Sequence, residues 1–235
     1  RSSSTLATER VQHVVLRQGI IRQVMGFAEV QAQVVSGPGE EGGEPMGTVV
    51  LHPFLRTDEL DAFLAEVLPC YAGVLGRVEL GRLGPVARRR AVLRAVIWWP
   101  FSACLAAAGL WLAGLSGLAE RAAWLAGPLV AVAAVLSLAL LVALVFDALR
   151  GWGAARYGHT DRELVLVSGG LTRLTVIAPR GRLQRVELRA NPFQRRAGVA
   201  TVSVRTAAER ADGLGLRDVP AAAADELLAW FCPRG

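Results

Sequence analysis

Three hydrophobic patterns follow one another along the 235 residues. From Thr5 to Leu16 Gln12, Val14 and Leu16 share one face and Val11, His13 and Val15 the other. From Ala28 to Val35 the alternation is cleaner, with Ala28, Val30, Ala32 and Val34 set against Glu29, Gln31 and Gln33. A period of two is the mark of strands with one wet face. Ser36–Gly47 is a loop rich in glycine and proline, and Thr48–Leu51 a short apolar strand. The period then changes. Leu60, Phe63, Leu64 and Val67 recur at helical spacing behind Thr57 as a cap, with Asp58 and Glu59 in the first turn and Pro69 as the stop. In the third pattern nothing alternates. Ala95–Phe146 is apolar throughout apart from the adjacent Glu120 and Arg121, and each side of that pair exceeds the roughly 20 residues that cross a hydrocarbon core. This predicts two transmembrane helices joined as a hairpin over 95–149.

Past the apolar block the short periods return. Glu163–Val167 and Leu171–Ile177 flank the turn Ser168–Gly170 as a hairpin, Leu183–Leu188 and Val199–Arg205 are further strands, and Leu214–Leu216 is short and extended after a turn at Asp212–Gly213. Asn191 followed by Pro192 is an N-cap with proline at the first helical position, opening a short helix that ends at Gly198. Ala221–Phe231 is a closing helix stopped by Pro233.

Charge orients this layout. All 26 basic residues are arginine and the net charge is +6, a bias that fits a GC-rich genome. Cys70–Arg94 carries Arg77, Arg82, Arg88, Arg89, Arg90 and Arg94 against Glu79 and reads as a basic juxtamembrane segment over 70–94, and Arg150 and Arg156 flank the far end of the block. By the positive-inside bias both outer flanks are cytoplasmic and the Glu120–Arg121 connection lies outside, with Trp98, Trp99, Trp124 and Trp152 as interfacial aromatics. The arginines beside the block fit an anionic membrane surface better than nucleic acid, which is not expected as a partner. Asp147, near the cytoplasmic end of the second span, reads as an interfacial carboxylate. Gly109, Ala113 and Gly117 repeat every four residues as a small-residue ridge for close packing of the two spans.

Cys70, Cys104 and Cys232 are too scattered for a disulfide framework or a zinc site, and His13, His52 and His159 lack the spacing of metal ligands or a catalytic dyad. No phosphate loop, nucleophile elbow or His-Glu metal motif occurs. No enzyme, cofactor, metal or catalytic residue is therefore expected. The chain opens Arg-Ser-Ser-Ser without a signal-peptide pattern, as expected of a segment that begins inside a longer protein.

The chain also matches itself. Arg10–Arg17 lies over Arg182–Arg189 at a shift of 172 residues, with Gly26, Ala28 and Val30 meeting Gly198, Ala200 and Val202, and Thr57–Leu60 meets Ala224–Leu227 at the closing helices. The first copy lacks an opening hairpin and has Gly19-Ile20 where the second has Asn191-Pro192. Its short helix is thus weakly capped, and its sheet is expected to end in an exposed edge.

The run from Gly181 to Val204, beside a membrane hairpin, resembles the bacterial PH-like (bPH2) membrane-flanked domain family. The resemblance implies an α+β protein of the cell membrane: an antiparallel, PH-like sheet or partly open barrel closed by a C-terminal helix, complete over 154–235 and partial over 1–69, repeated on either side of the hairpin. It implies a binding role. Cytoplasmic PH-like domains on a membrane-anchored scaffold would hold lipid headgroups, anionic ones in particular, or a protein partner, or self-associate. The alternative is an accessory subunit of a membrane transport or envelope-stress and antimicrobial-resistance complex. The candidate binding residues are Arg180, Arg182, Arg185, Arg189, Arg195 and Arg196, with Arg173 in the same segment.

Overall fold

The computed structural model describes residues 8–35, 46–115, 123–208 and 214–232. The N-terminal segment runs β1 (Val11–Gln18), α1 (Ile20–Met25), β2 (Phe27–Val35), β3 (Met46–Arg56), α2 (Leu60–Val67), a 3-10 turn (Pro69–Tyr71), α3 (Val74–Arg77) and β4 (Gly81–Arg82). Two long helices follow, α4 (Pro85–Leu115) and α5 (Ala123–Ala154). The C-terminal segment is β5 (Arg156–His159), β6 (Glu163–Ser168), β7 (Arg173–Pro179), β8 (Leu183–Arg189), α6 (Pro192–Arg196), β9 (Val199–Thr206), β10 (Leu214–Pro220) and α7 (Ala221–Phe231). Several expectations fall outside the described residues: the loop at 36–45, the connection with Gly117, Glu120 and Arg121, the Asp212–Gly213 turn, Pro233, and the side chains of Trp98, Ala113 and Trp124.

The chain forms two compact units, Arg1–Ala87 with Gly151–Gly235 and, separately, Arg88–Arg150. The boundaries expected at 69 and 154 do not separate two sheet domains, because the N- and C-terminal segments share one sheet. Its order is β3-β2-β1-β7-β6-β5-β4, antiparallel in every pairing. The join is β1 against β7, with Val14 opposite Ile177 and Leu16 opposite Thr175. This corrects the expected exposed edge of the N-terminal segment: the C-terminal hairpin β6–β7 lies where an opening hairpin would. It also explains why β1 is buried at six consecutive positions rather than alternately. Both of its edges are paired and both of its faces are covered.

On one face of the seven-stranded sheet, Val14, Leu16, Val30, Val165 and Ile177 pack beneath Leu60, Leu64, Leu68 and Val74 of α2, the following turn and α3. On the other face, Leu164, Leu166 and Ala178 pack against Val186, Val202 and Val204 of a second sheet, β10-β9-β8, and against Ala224 and Leu227 of α7. His13 joins the two sheets. Its Nδ1 lies 3.0 Å from the Thr206 hydroxyl, with both side chains buried. Burial of each large aliphatic side chain contributes about 1.5–3 kcal/mol.

Local chemistry accounts for the ends of the elements. Asn191 caps α6: its side chain accepts from the Gln194 backbone N–H at 2.8 Å, and the Gln194 amide oxygen accepts from the Asn191 N–H at 3.1 Å, a closed capping box. The Gln194 Nε2 then donates to Thr201 and to buried Asp218, at 2.9 and 3.1 Å. α1 forms with Gly19 as N-cap and no side-chain bond. Both short helices end in a glycine at positive φ, Gly26 at 72° and Gly198 at 66°. Thr57 does not cap α2, whose N-cap is Glu59; its hydroxyl bonds instead to the Gly26 carbonyl at 3.2 Å.

The expected basic segment 70–94 is structured: α3 and β4 occupy its first half, and Arg88, Arg89, Arg90 and Arg94 lie on α4, which starts at Pro85 rather than near Ala95. Arginine and alanine propagate helix well, and proline suits the first turn. Among the described residues, one stretch, Val130–Ala154 of α5, is long and apolar enough to cross a membrane, with a mean hydropathy of 2.6 and none of that window buried. Within the unit Arg88–Arg150, the Trp99 indole donates to Ser137, with Nε1 2.9 Å from Oγ and 3.1 Å from the carbonyl. Of the expected small-residue ridge, Gly109 is the member whose surroundings lie among the described residues. Gly109 is exposed, with nothing within 4 Å of where a Cβ would stand.

Candidate functional site

The six arginines expected to form a binding surface do not converge. On β8, Arg185 and Arg189 bracket Glu187, with Arg189 Nε 2.6 Å and Arg185 3.6 Å from its carboxylate. The hydrogen bond from Arg189, with the charges of Arg185 and Arg205 behind it, holds Glu187 below the ordinary carboxylate range. β8 is the end strand of its sheet, and charged residues there discourage edge-to-edge pairing. Arg180 lies over the Trp230 ring at 5.3 Å and donates to the Phe231 carbonyl at 3.5 Å. Arg182 donates to the Glu9 carbonyl at 2.7 Å, and Arg195 to that of Ala190 at 3.2 Å. Arg196 is exposed at the end of α6. Strand alternation keeps Arg185 and Arg189 on one face with Glu187, while Arg180, Arg182 and Arg195 are each engaged with a different backbone carbonyl.

A tighter positive cluster forms elsewhere: it takes Arg173 from the segment read as the candidate set and joins it to Arg82 and Arg156, which the sequence shows as basic flanks. Arg82 on β4 is directly opposite Arg156 on β5, Arg156 opposite Val167, Val167 opposite Thr175, and Thr175 opposite Leu16. Residues in register on antiparallel strands point to the same face. Gln18 and Arg173, opposite each other and two positions further along, share that face. The row ends in a cavity of about 310 Å³, with a floor of Leu16, Ala28, Val167 and Thr175 and a wall of Leu60, Leu75 and Leu80. Gln18, Thr57, Arg156 and Arg173 also line it, together with Gly153 and Ala154, the last two residues of α5.

The electrostatics of this cavity are one-sided. Arg173 Nε is buried and has no hydrogen-bond partner, and no acid lines the space. Arg156 gives one nitrogen to the carbonyls of Gly153 and Ala155, at 2.8 and 2.7 Å, at the end of α5. Burial, and then the charges of Arg82 and Arg173, lower the Arg156 pKa from its ordinary value. A more open hollow of about 490 Å³ beside α1 differs in kind: Arg17 and Arg22 line it, but so does Glu29, which pairs with Arg22.

α1 carries an exposed apolar patch. Ile21 and Val24 are 74% and 82% exposed, Ile20 and Met25 are exposed beside them, and Arg22 lies 4.5 Å over the ring of exposed Phe54. Among the described residues no group of three or more His, Cys, Asp or Glu is placed to hold a metal, and the three cysteines are free and exposed.

Layered antiparallel sheets closed by a C-terminal helix are the architecture expected of a PH-like unit. The comparison with protein families makes this specific: residues 88–232, more than half of the chain, match the family model of the bacterial PH domain, bPH_2, and the protein belongs to that family. The matched stretch takes in both long helices as well as the C-terminal strands. No curated protein and no solved structure matches the chain.

Proposed function

We propose that this protein is a membrane-anchored binding protein without enzymatic activity, whose PH-like unit holds lipid headgroups at the leaflet from which its helices emerge. The observation that carries the reading is continuity: in a member of the bacterial PH family, the candidate span Val130–Ala154 is followed after a single residue by β5 at Arg156. On this reading α4 is the second crossing, and Arg88, Arg89, Arg90, Arg94, Arg150 and Arg156 keep both flanks of the hairpin in the cytoplasm. A tethered unit meets its own leaflet at high effective concentration, so modest affinity suffices.

An internal duplication belongs to the same proposal. The order strand, short helix, strand, strand, helix occurs in β1–α2 and again in β8–α7. In both, the carbonyl of the positive-φ glycine accepts a backbone N–H at 2.9 Å, Gly26 from Thr57 and Gly198 from Ala221. Duplication accounts for this agreement more simply than convergence does.

The test is to purify the full chain, insert it into nanodiscs of mixed anionic and zwitterionic lipid, and measure the lipid retained on extraction. Enrichment of anionic lipid that falls in the Arg195→Gln/Arg196→Gln variant supports headgroup binding at the α6 surface; equal retention of both lipid classes defeats it. A protein partner, as in an accessory subunit of a larger complex, is the second reading, favoured by the exposed apolar face of α1. It requires that Ile21→Asp/Val24→Asp abolish co-purification of a stoichiometric partner.

A further inference from the structure

The cavity edged by Arg156 and Arg173 has a charge pattern that the fold leaves uncompensated. Three guanidinium groups, Arg82, Arg156 and Arg173, are brought to one end of one sheet face by strand register. Like charges placed directly opposite across a strand pair are destabilising, and a buried donor without a partner costs roughly 1–3 kcal/mol. Both penalties are present here, at Arg82–Arg156 and at Arg173 Nε. Elsewhere the protein sets an acid against several of its arginines: Arg22 with Glu29, Arg56 with Asp58, Arg77 with Glu163, and Arg185 and Arg189 with Glu187. Around this cavity it does not, since no Asp or Glu lines it and neither Arg82 nor Arg173 has an ion-pair partner among the described residues.

We infer that this cavity is a binding site for a phosphate group carried on a small, weakly polar molecule, with Arg156 and Arg173 as its principal ligands. A guanidinium presents two parallel N–H donors that match two oxygens of a phosphate. A volume of about 310 Å³ is at the lower end of the roughly 300–1,000 Å³ of small-molecule sites, room for a phosphoglycerol-sized group. Leu16, Ala28, Leu60, Leu75, Leu80 and Val167 offer apolar surface to a carbon skeleton, while the Gln18 amide and the Thr57 hydroxyl beside them already donate to the Phe27 and Gly26 carbonyls. Arg156 is six residues beyond Arg150, the proposed cytoplasmic flank of the span; the four helical residues to Ala154 add about 6 Å and the last two about 7 Å at most. The phosphate of a lipid headgroup is therefore within range, and so is a soluble phosphate ester. The lipid source rests on the proposed membrane anchoring; the phosphate chemistry of the site does not.

Isothermal titration calorimetry on the full chain in an uncharged detergent tests this, using inorganic phosphate, glycerol 3-phosphate and dihexanoyl phosphatidylglycerol as probes, with sodium chloride at matched ionic strength as the blank. At least one phosphate-bearing probe is expected to bind with a stoichiometry near one. Arg173→Gln is expected to weaken it about tenfold to a hundredfold, the worth of hydrogen bonds to a charged group. Arg173→Lys, which keeps the charge but loses the fork, should weaken it less, and Arg195→Gln/Arg196→Gln should leave it unchanged. Binding of the soluble probes identifies a free phosphate ester as a ligand, and binding of the short-chain lipid alone identifies a headgroup. No heat above the chloride blank with any probe overturns the inference, as does unchanged affinity in an Arg173→Gln protein that melts like the parent. Because Arg195 and Arg196 lie outside this site, a negative nanodisc result for them leaves the outcome here separate.

Discussion

Acid should loosen this protein at one identifiable point, His13. The imidazole is buried in β1 with a relative exposure of 1%, and its Nδ1 meets the Thr206 hydroxyl on β9. Burial penalises the charged form and lowers its pKa from 6.5 to about 4. The unfolded chain therefore takes up a proton as pH falls through 6.5 while the folded protein does not, and stability declines with falling pH throughout that window. Above pH 6.5 the folded state keeps its full stability, and below pH 4 the loss is complete. At 1.36 kcal/mol per pKa unit the single histidine costs about 2 kcal/mol by pH 5 and about 3 kcal/mol by pH 4. The measurement is urea unfolding of the full chain in detergent between pH 7.5 and 4.5, followed by tryptophan fluorescence. The comparison is with His13→Leu/Thr206→Val, which removes both polar partners and so leaves no orphaned hydroxyl. Carboxylates titrate equally in both proteins, so the difference between the two pH profiles isolates the imidazole. If the profiles run parallel, His13 carries no such penalty and the reasoning fails.

Four other perturbations probe the fold and its placement. Ile177→Ala, at one end of the β1–β7 seam where the side chain is fully buried, should lower the unfolding free energy by about 2–5 kcal/mol and loosen the N-terminal strands, read by hydrogen exchange in β1. Asn191→Ala opens the capping box of α6 and should cost about 1 kcal/mol in denaturant unfolding. Gly198→Ala meets open space but forces a Cβ onto a φ of 66°, a cost of about 1–2 kcal/mol visible as a lower melting temperature. If the helices cross the membrane as proposed, a membrane-impermeant maleimide should label the exposed thiols Cys70 and Cys232 from the cytoplasmic side only. Labelling of the two from opposite sides would contradict the hairpin.

Local signals survived into the structure where a single segment carried them. Asn191-Pro192 reads as a helix start because a cap needs only its own first turn, and it is one. Ala221–Phe231 has the bounds expected of it. β3 and β10 extend well past the short strands expected, since Met46–Arg56 and Leu214–Pro220 gain hydrogen bonds from β2 and β9 that no local pattern announces. The candidate arginines show the same division. Their identity is plain in the chain, but their grouping depends on which strands are neighbours, and Arg82, Arg156 and Arg173 are far apart in sequence and adjacent only through register.

By itself the sequence determined the alternating strands, the short capped helix, the closing helix, the apolar block and the resemblance to a family to which the chain belongs. These follow from side-chain periodicity and capping, which act within one or two turns or a few strand residues. Only the tertiary structure decided that the two flanking segments share one sheet, that β1 is covered on both faces, and that Arg173 meets Arg156 at a cavity rather than the arginines that follow it in the sequence. The physical reason is that strand pairing is non-local: a backbone edge carries no label for its partner, and the choice between them is made by burial summed over the whole unit.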